Sequence, residues 1–323
     1  MMKKNMWSRW ILALAVVWPC MAAAHDRVRE KENFDFDWKF ILNADDRANA
    51  GMQVSETGWQ DVQLPHDWSI SLNFDPKLSG SNGHLPGGIG WYRKTFRVDK
   101  KDKGRRIAVL FDGIYSHSDV YVNGQHLGFR PYGFCYQEYD LTPYLNYGAE
   151  NVLAVRVNNP LEHDSVARWY TGAGIYRHAW LVKTAEVHVA SYGTYVTTPV
   201  VTAERAEVRV RTSVANEAER TKTLSVRQQI TDGEGRTVVQ SGKQALQVAA
   251  GQTADTEHTL EIPRPQLWDT EHPYLYTLHT TIYDGRKLVD TYETVFGVRT
   301  CEFTPDCGFL LNGKPLKLKG FCL

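Results

Sequence analysis

The chain has 323 residues, enough for two or three domains with separate cores, and its 37 Lys and Arg are matched by 37 Asp and Glu. With no basic excess to attract a polyanion, nucleic acid is not an expected partner. The eleven histidines are scattered without the spacing of a metal site. No Gly-x-Ser-x-Gly elbow, phosphate loop or complete dinucleotide fingerprint appears, since Gly172-x-Gly174 is followed by Arg177 rather than a third glycine.

The N-terminus reads as an export signal. Lys3, Lys4 and Arg9 form a positive start, residues 11–21 an apolar stretch, and Ala22-Ala23-Ala24 a small-residue cleavage site. The apolar run is too short for an integral membrane span. Removal of residues 1–24 leaves 34 basic against 37 acidic residues, a net charge of −3. The expected location is periplasmic or extracellular. A lipid anchor at Cys20 is the competing reading, and Trp18 and Pro19 are poor neighbours for it. The remaining cysteines, Cys135, Cys301, Cys307 and Cys322, are too few for a disulfide framework, although Cys301 and Cys307 can close a small loop.

From there the chain reads as all-β. In residues 106–111, Ile107, Val109 and Phe111 alternate with Ala108 and Leu110, so both faces are apolar and the strand is expected to be central. Asn123-Gly124 is a hairpin signal, because both residues accept the positive φ of a tight turn. Leu153, Val155 and Val157 suggest a strand buried on one face, and Ala206, Val208, Val210, Thr212 and Val214 repeat that alternation. Asp232-Gly233, Asp284-Gly285 and Asn312-Gly313 mark further reversals. No stretch shows sustained helical periodicity. Composition shifts near Thr184, from Trp-, Tyr- and Gly-rich to Val-, Thr- and Arg-rich sequence. The second unit has the size of an immunoglobulin-like sandwich.

Residues 168–181, RWYTGAGIYRHAWL, concentrate Trp169, Tyr170, Tyr176 and Trp180 with two arginines and two glycines. Aromatic rings cover the apolar faces of sugars, and charged forks bind hydroxyls. The plainer alternative is that these rings are buried at a sheet edge. No acidic pair stands out in the sequence as a catalytic couple.

Several motifs in order carry a resemblance to a known family. LPHDWSI (64–70), GIGWYRKTF (88–96), DGIYSHSDVYVNGQHLG (112–128) and RWYTGAGIYRHAWL resemble the sugar-binding jelly roll of glycoside hydrolase family 2, especially its β-galactosidases. LWDTEHPYLYTL (267–278) and FGVRT (296–300) are similar to the end of that family's immunoglobulin-like domain, and GFLLNGKPLKLKGFC (308–322) to the start of its TIM barrel. After the signal peptide expected over 1–24, the resemblance implies a galactose-binding-like jelly roll over 25–184, an immunoglobulin-like β-sandwich over 185–300, and the first strand of a (β/α)8 barrel over 301–323. It implies a retaining glycosidase whose two catalytic glutamates lie beyond Leu323, so this stretch is expected to be inactive alone and no catalytic residue is assigned within it.

Asp67 matches a family position that contributes to the sugar subsite, and Arg168 stands at a second such position. Many relatives carry an aspartate near Arg168, and Asp164 is the candidate to substitute for it. Subsite contact and a structural salt bridge both remain open for Asp67 and Arg168. By the same resemblance Trp169, Tyr170 and Trp180 brace the domain against the barrel. No cofactor is visible, and a divalent ion, if used, belongs to the barrel. The implied partner is a carbohydrate substrate, with homo-oligomers possible for the full enzyme. A stand-alone carbohydrate-binding module is the rival reading, and β-glucuronidase is the runner-up among enzymes.

Overall fold

The computed structural model describes residues 28–42, 45–80, 83–160 and 169–320. The expected signal segment, Cys20, Cys322, Asp164 and Arg168 lie outside the described residues. Among the described residues, twenty-one strands follow one another, with only short 3-10 turns as helical elements.

The first ten are β1 Glu30–Asn33, β2 Trp38–Leu42, β3 Gln60–Val62, β4 Gly88–Arg97, β5 Arg106–Phe111, β6 Ser118–Val122, β7 Gln125–Arg130, β8 Gln137–Asp140, β9 Glu150–Asn159 and β10 Ala179–Thr184. They form a six-stranded sheet, β3-β2-β4-β9-β6-β7, facing a four-stranded sheet, β1-β10-β5-β8, in a jelly-roll sandwich. The core between them is aromatic: Trp38, Trp68, Tyr92 and Phe111 are all but sealed from solvent. Strand β5 lies inside its sheet and is buried over Ile107–Phe111, as its two-faced apolar pattern requires. Asn123 and Gly124, at φ of 51° and 85°, make the tight turn between β6 and β7.

Strand β9 departs from its one-sided pattern. Val152, Ala154 and Arg156 are buried as well as Leu153, Val155 and Val157, because β9 sits between β4 and β6 and both its faces are covered. Arg156 survives there by pairing with Asp45 at 2.9 Å and Asp119 at 3.6 Å.

The next eight strands are β11 Val187–Val201, β12 Arg205–Asn216, β13 Lys222–Thr231, β14 Thr237–Gln240, β15 Gln244–Val248, β16 Gln252–Pro263, β17 Tyr276–Asp284 and β18 Lys287–Phe296. They build a second antiparallel sandwich, β11-β12-β16 against β14-β13-β17-β18, with β15 also on β13. The alternation in β12 is realised in full, with Ala206, Val208, Val210, Thr212 and Val214 all buried. Gln228 links Thr212 and Thr280 by hydrogen bonds of 2.9 and 2.7 Å, a polar layer in the interior. The reversal expected at Asp232-Gly233 is longer than a two-residue turn: it closes through Asp232 to Arg236, and Gly235 supplies the positive φ.

Strands β19 Cys301–Thr304, β20 Gly308–Leu311 and β21 Lys314–Pro315 form a small antiparallel sheet. Cys301 pairs with Leu311 and Thr304 with Gly308, so Cys301 and Cys307 occupy opposite ends of the hairpin. Three strand steps, about 10 Å, exceed what a disulfide spans, and both thiols are free. Residues 316–320 form no strand, and no closed barrel occurs among the described residues.

The two sandwiches meet through ion pairs and a contact between the rings of Tyr136 and Tyr192, 4.7 Å apart. Asp290, fully buried, accepts from Arg29 Nε at 3.0 Å and Nη2 at 2.8 Å and from the Val189 amide at 2.7 Å. Arg106 reaches Glu138 and Glu217, each at 2.8 Å.

Candidate functional site

The site builds outward from the corner that follows the cis Leu64–Pro65 bond. The His66 amide donates to Ile175 O at 2.8 Å and the Trp68 amide to Ala173 O at 3.2 Å, which ties the corner to the segment after Tyr170. Gly174 pairs in both directions with Tyr115, at 2.8 and 2.9 Å. Its φ is 119°, and a Cβ there would lie 2.3 Å from Tyr92 Oη and 2.7 Å from His66 O, so only glycine allows the approach.

Asp67 is the hub of this corner. Its Oδ1 accepts from the amides of Ser69 and Ala173, each at 3.0 Å, and its Oδ2 accepts from the Tyr170 hydroxyl at 2.5 Å. The carboxylate is partly exposed. Burial and the bond to Asp67 both raise the Tyr170 phenol, which stays protonated and donating. Beneath it, His66 Nδ1 lies 2.8 Å from Tyr92 Oη, and burial lowers the imidazole despite the nearby Asp67. Burial also holds the Tyr92 phenol well above its ordinary range. Both shifts favour the neutral forms of the groups beneath the hub.

Neither sequence alternative for Asp67 describes this arrangement by itself. Among the described residues Asp67 pairs with no cation; amides and a phenol hold it instead. Three donors still leave acceptor capacity on a carboxylate open to solvent. The structure brings Asp67 and Tyr170 together; Asp164 and Arg168 lie outside the described residues.

Aromatic rings flank the hub. Trp169 is half exposed and Phe134 lies 6.2 Å from it, with Tyr115 and Tyr132 against Phe134 at 5.0 and 5.7 Å. Trp169 and Tyr170 are thus surface rings, not rings buried at a sheet edge. Trp180 does not join them. Its indole donates to Asp112 at 2.9 Å, and Lys31 lies 4.1 Å above its ring. Phe134 and Tyr132 carry no sequence signal that would have marked them; the fold brings them to Trp169. No group of His, Cys, Asp and Glu fit to hold a metal ion occurs among the described residues. The arrangement suits a neutral, hydroxyl-rich ligand: one carboxylate to accept hydroxyl protons, and rings to cover apolar C–H faces.

Comparison with known proteins places these domains. Residues 32–185 match the model of the "Glycosyl hydrolases family 2, sugar binding domain", and residues 187–299 match that of "Glycosyl hydrolases family 2". The chain is 41% identical to the β-galactosidase BoGH2A of Bacteroides ovatus over 312 residues, which is 94% of this chain and 36% of that protein. It is 34% identical to a β-glucuronidase of Formosa agariphila, covering 91% of this chain and 32% of that protein. Among solved structures, a glycosyl hydrolase family 2 member from Bacteroides cellulosilyticus superposes with a TM-score of 0.80 at 39% identity, over 90% of this chain and 39% of that one. The chain spans about a third of the length of these relatives and matches their N-terminal part. With a jelly roll matched over 32–185 and a sandwich over 187–299, the chain belongs to glycosyl hydrolase family 2.

Proposed function

We propose that these 323 residues are the sugar-binding and immunoglobulin-like portion of an exported retaining glycosidase of the β-galactosidase type. The observation that carries this reading is the 41% identity to a β-galactosidase across nearly the whole chain, together with a carboxylate bonded to Tyr170 beside the exposed Trp169. In the complete protein a barrel carboxylate attacks the anomeric carbon while a second protonates the departing oxygen. Water then releases the sugar from the covalent intermediate with net retention. Asp67, with Asp164 and Arg168, serves the outer edge of the sugar subsite by accepting from and donating to hydroxyls. Without nucleophile or proton donor, the chain alone offers ground-state binding and no turnover.

A second reading, β-glucuronidase, is favoured by the relative from Formosa agariphila and by a solved family 2 β-glucuronidase at 33% identity and a TM-score of 0.81. The complete protein assayed on paired aryl β-galactoside and β-glucuronide substrates separates the two. The proposal expects the larger kcat/KM on the galactoside; a preference for the glucuronide transfers the assignment to the second reading. Export is tested on the native protein, whose N-terminal sequence should begin at His25; a retained Met1 excludes cleavage.

A further inference from the structure

The two sandwiches leave a cleft of about 410 Å³ between them, away from the Asp67 hub. Its floor is apolar, made by Leu110 of β5 and Val182 of β10, and its opposite wall comes from the second sandwich. There β11 breaks register between Val189 and Thr194, and Tyr192 sits in the bulge at a φ of 53°. A tyrosine in the left-handed region is strained, and such strain persists only where the surroundings impose it. Here they do so from three sides. The Tyr192 amide donates to Tyr292 Oη at 3.1 Å, its hydroxyl to Asp112 at 3.2 Å across the joint, and its ring lies 4.7 Å from that of Tyr136. The fold thus spends a strained residue to fix a ring that remains about half exposed (56%) at the cleft.

Around that ring the polar groups balance. Arg29 is neutralised by Asp290. Lys31 stands over Trp180 and pairs with no carboxylate among the described residues, while Glu293, 3.2 Å from His279, lines the cleft together with Thr291 and Ser191. A cleft with no excess of either charge, an apolar floor, fixed tyrosines and several short donors and acceptors matches a neutral polyol with one apolar face. We infer that this cleft is a second saccharide-binding site, separate from the Asp67 hub, which holds a neutral mono- or disaccharide unit. Only the choice of sugars as probes rests on the proposed function; the site itself stands on the cleft and the strained tyrosine.

Titration calorimetry of the 323-residue chain with lactose and with cellobiose tests the inference. Saturable binding is expected for at least one of them. Thr291→Trp fills the cleft without removing any hydrogen bond described above, and should weaken binding by about tenfold or more while the melting temperature stays at the parent's value. Lys31→Met keeps the stem on Trp180 and removes the donor, and should weaken binding several-fold even if the first variant folds poorly. Asp67→Asn can weaken only binding at the hub, so a saturable component that Thr291→Trp removes should survive in it. Absence of saturable binding for both sugars, or binding unaffected by Thr291→Trp and Lys31→Met, overturns the inference. Binding lost only in Asp67→Asn also overturns it, and leaves the reading of the Asp67 hub in place.

Discussion

A single carboxylate shows how far one residue can be read from sequence. Asp67 stood out through the motif around it, yet the motif does not contain its partners. Tyr170 and Ala173 lie more than a hundred positions away and meet Asp67 because the segment before β10 is tied to the corner after Pro65 by the His66–Ile175 and Trp68–Ala173 backbone bonds. A phenol that bonds a carboxylate looks in sequence like any other aromatic, so its part in the hub could not be foreseen. The arrangement predicts that Asp67→Ala, which strands two amides and a hydroxyl, lowers unfolding free energy by about 2–3 kcal/mol, measurable by urea denaturation. Asp67→Asn, which keeps an acceptor, should cost clearly less. Equal losses in the two variants would mean that the three bonds do not hold the corner.

At the scale of the element, pattern was a good guide for β12 and for β5, whose two apolar faces are both buried, and a poor one for β9. Strand β12 obeys its alternation because one face is solvated. Strand β9 looked one-sided because Arg156 is charged, but a buried arginine with two aspartates satisfies an interior position as an apolar residue would. The hairpin separation of Cys301 and Cys307 shows the complementary limit, since sequence spacing does not reveal on which rung each residue falls.

The segment before β1 was not singled out in sequence, although Arg29 makes the principal ion pair between the sandwiches. Asp290→Ala leaves a buried guanidinium and the Val189 amide without their partner, and should cost about 3–5 kcal/mol in a denaturant melt. Arg29→Ala should reproduce most of that loss. If both variants melt as the parent does, the pair does not clamp the joint.

The same joint carries a pH response. His188 is buried, and burial first, then Arg106 and Arg29, lowers its folded pKa from 6.5 to about 4. The unfolded chain therefore takes up a proton near pH 6.5 that the folded protein refuses until about pH 4. Stability is fully retained above that window and falls as the pH is lowered through it, by at most about 3 kcal/mol. His188→Gln should flatten this part of a melting-temperature profile; an unchanged slope would assign the response to other groups.

Across the whole molecule, two antiparallel sandwiches share one short connection between β10 and β11, a charged joint and a cleft. Their architecture was legible because alternation, turn residues and ordered motifs all pointed the same way. In the site the sequence singled out Asp67, Trp169 and Tyr170 but not the bond between Asp67 and Tyr170, and it did not mark the cleft, which is lined by residues of five strands from two domains. No helix among the described residues is long and apolar enough to cross a membrane.

The account's central claim is that these domains serve a glycosidase whose chemistry lies outside them. An antibody raised against residues 25–300 can isolate the native gene product, whose turnover of an aryl β-galactoside is then compared with that of the isolated 323-residue chain of 36.8 kDa. The account predicts turnover by a native product about three times larger, and none by the isolated chain. Turnover by the isolated chain, or a native product of the same size as that chain and without activity, would contradict it.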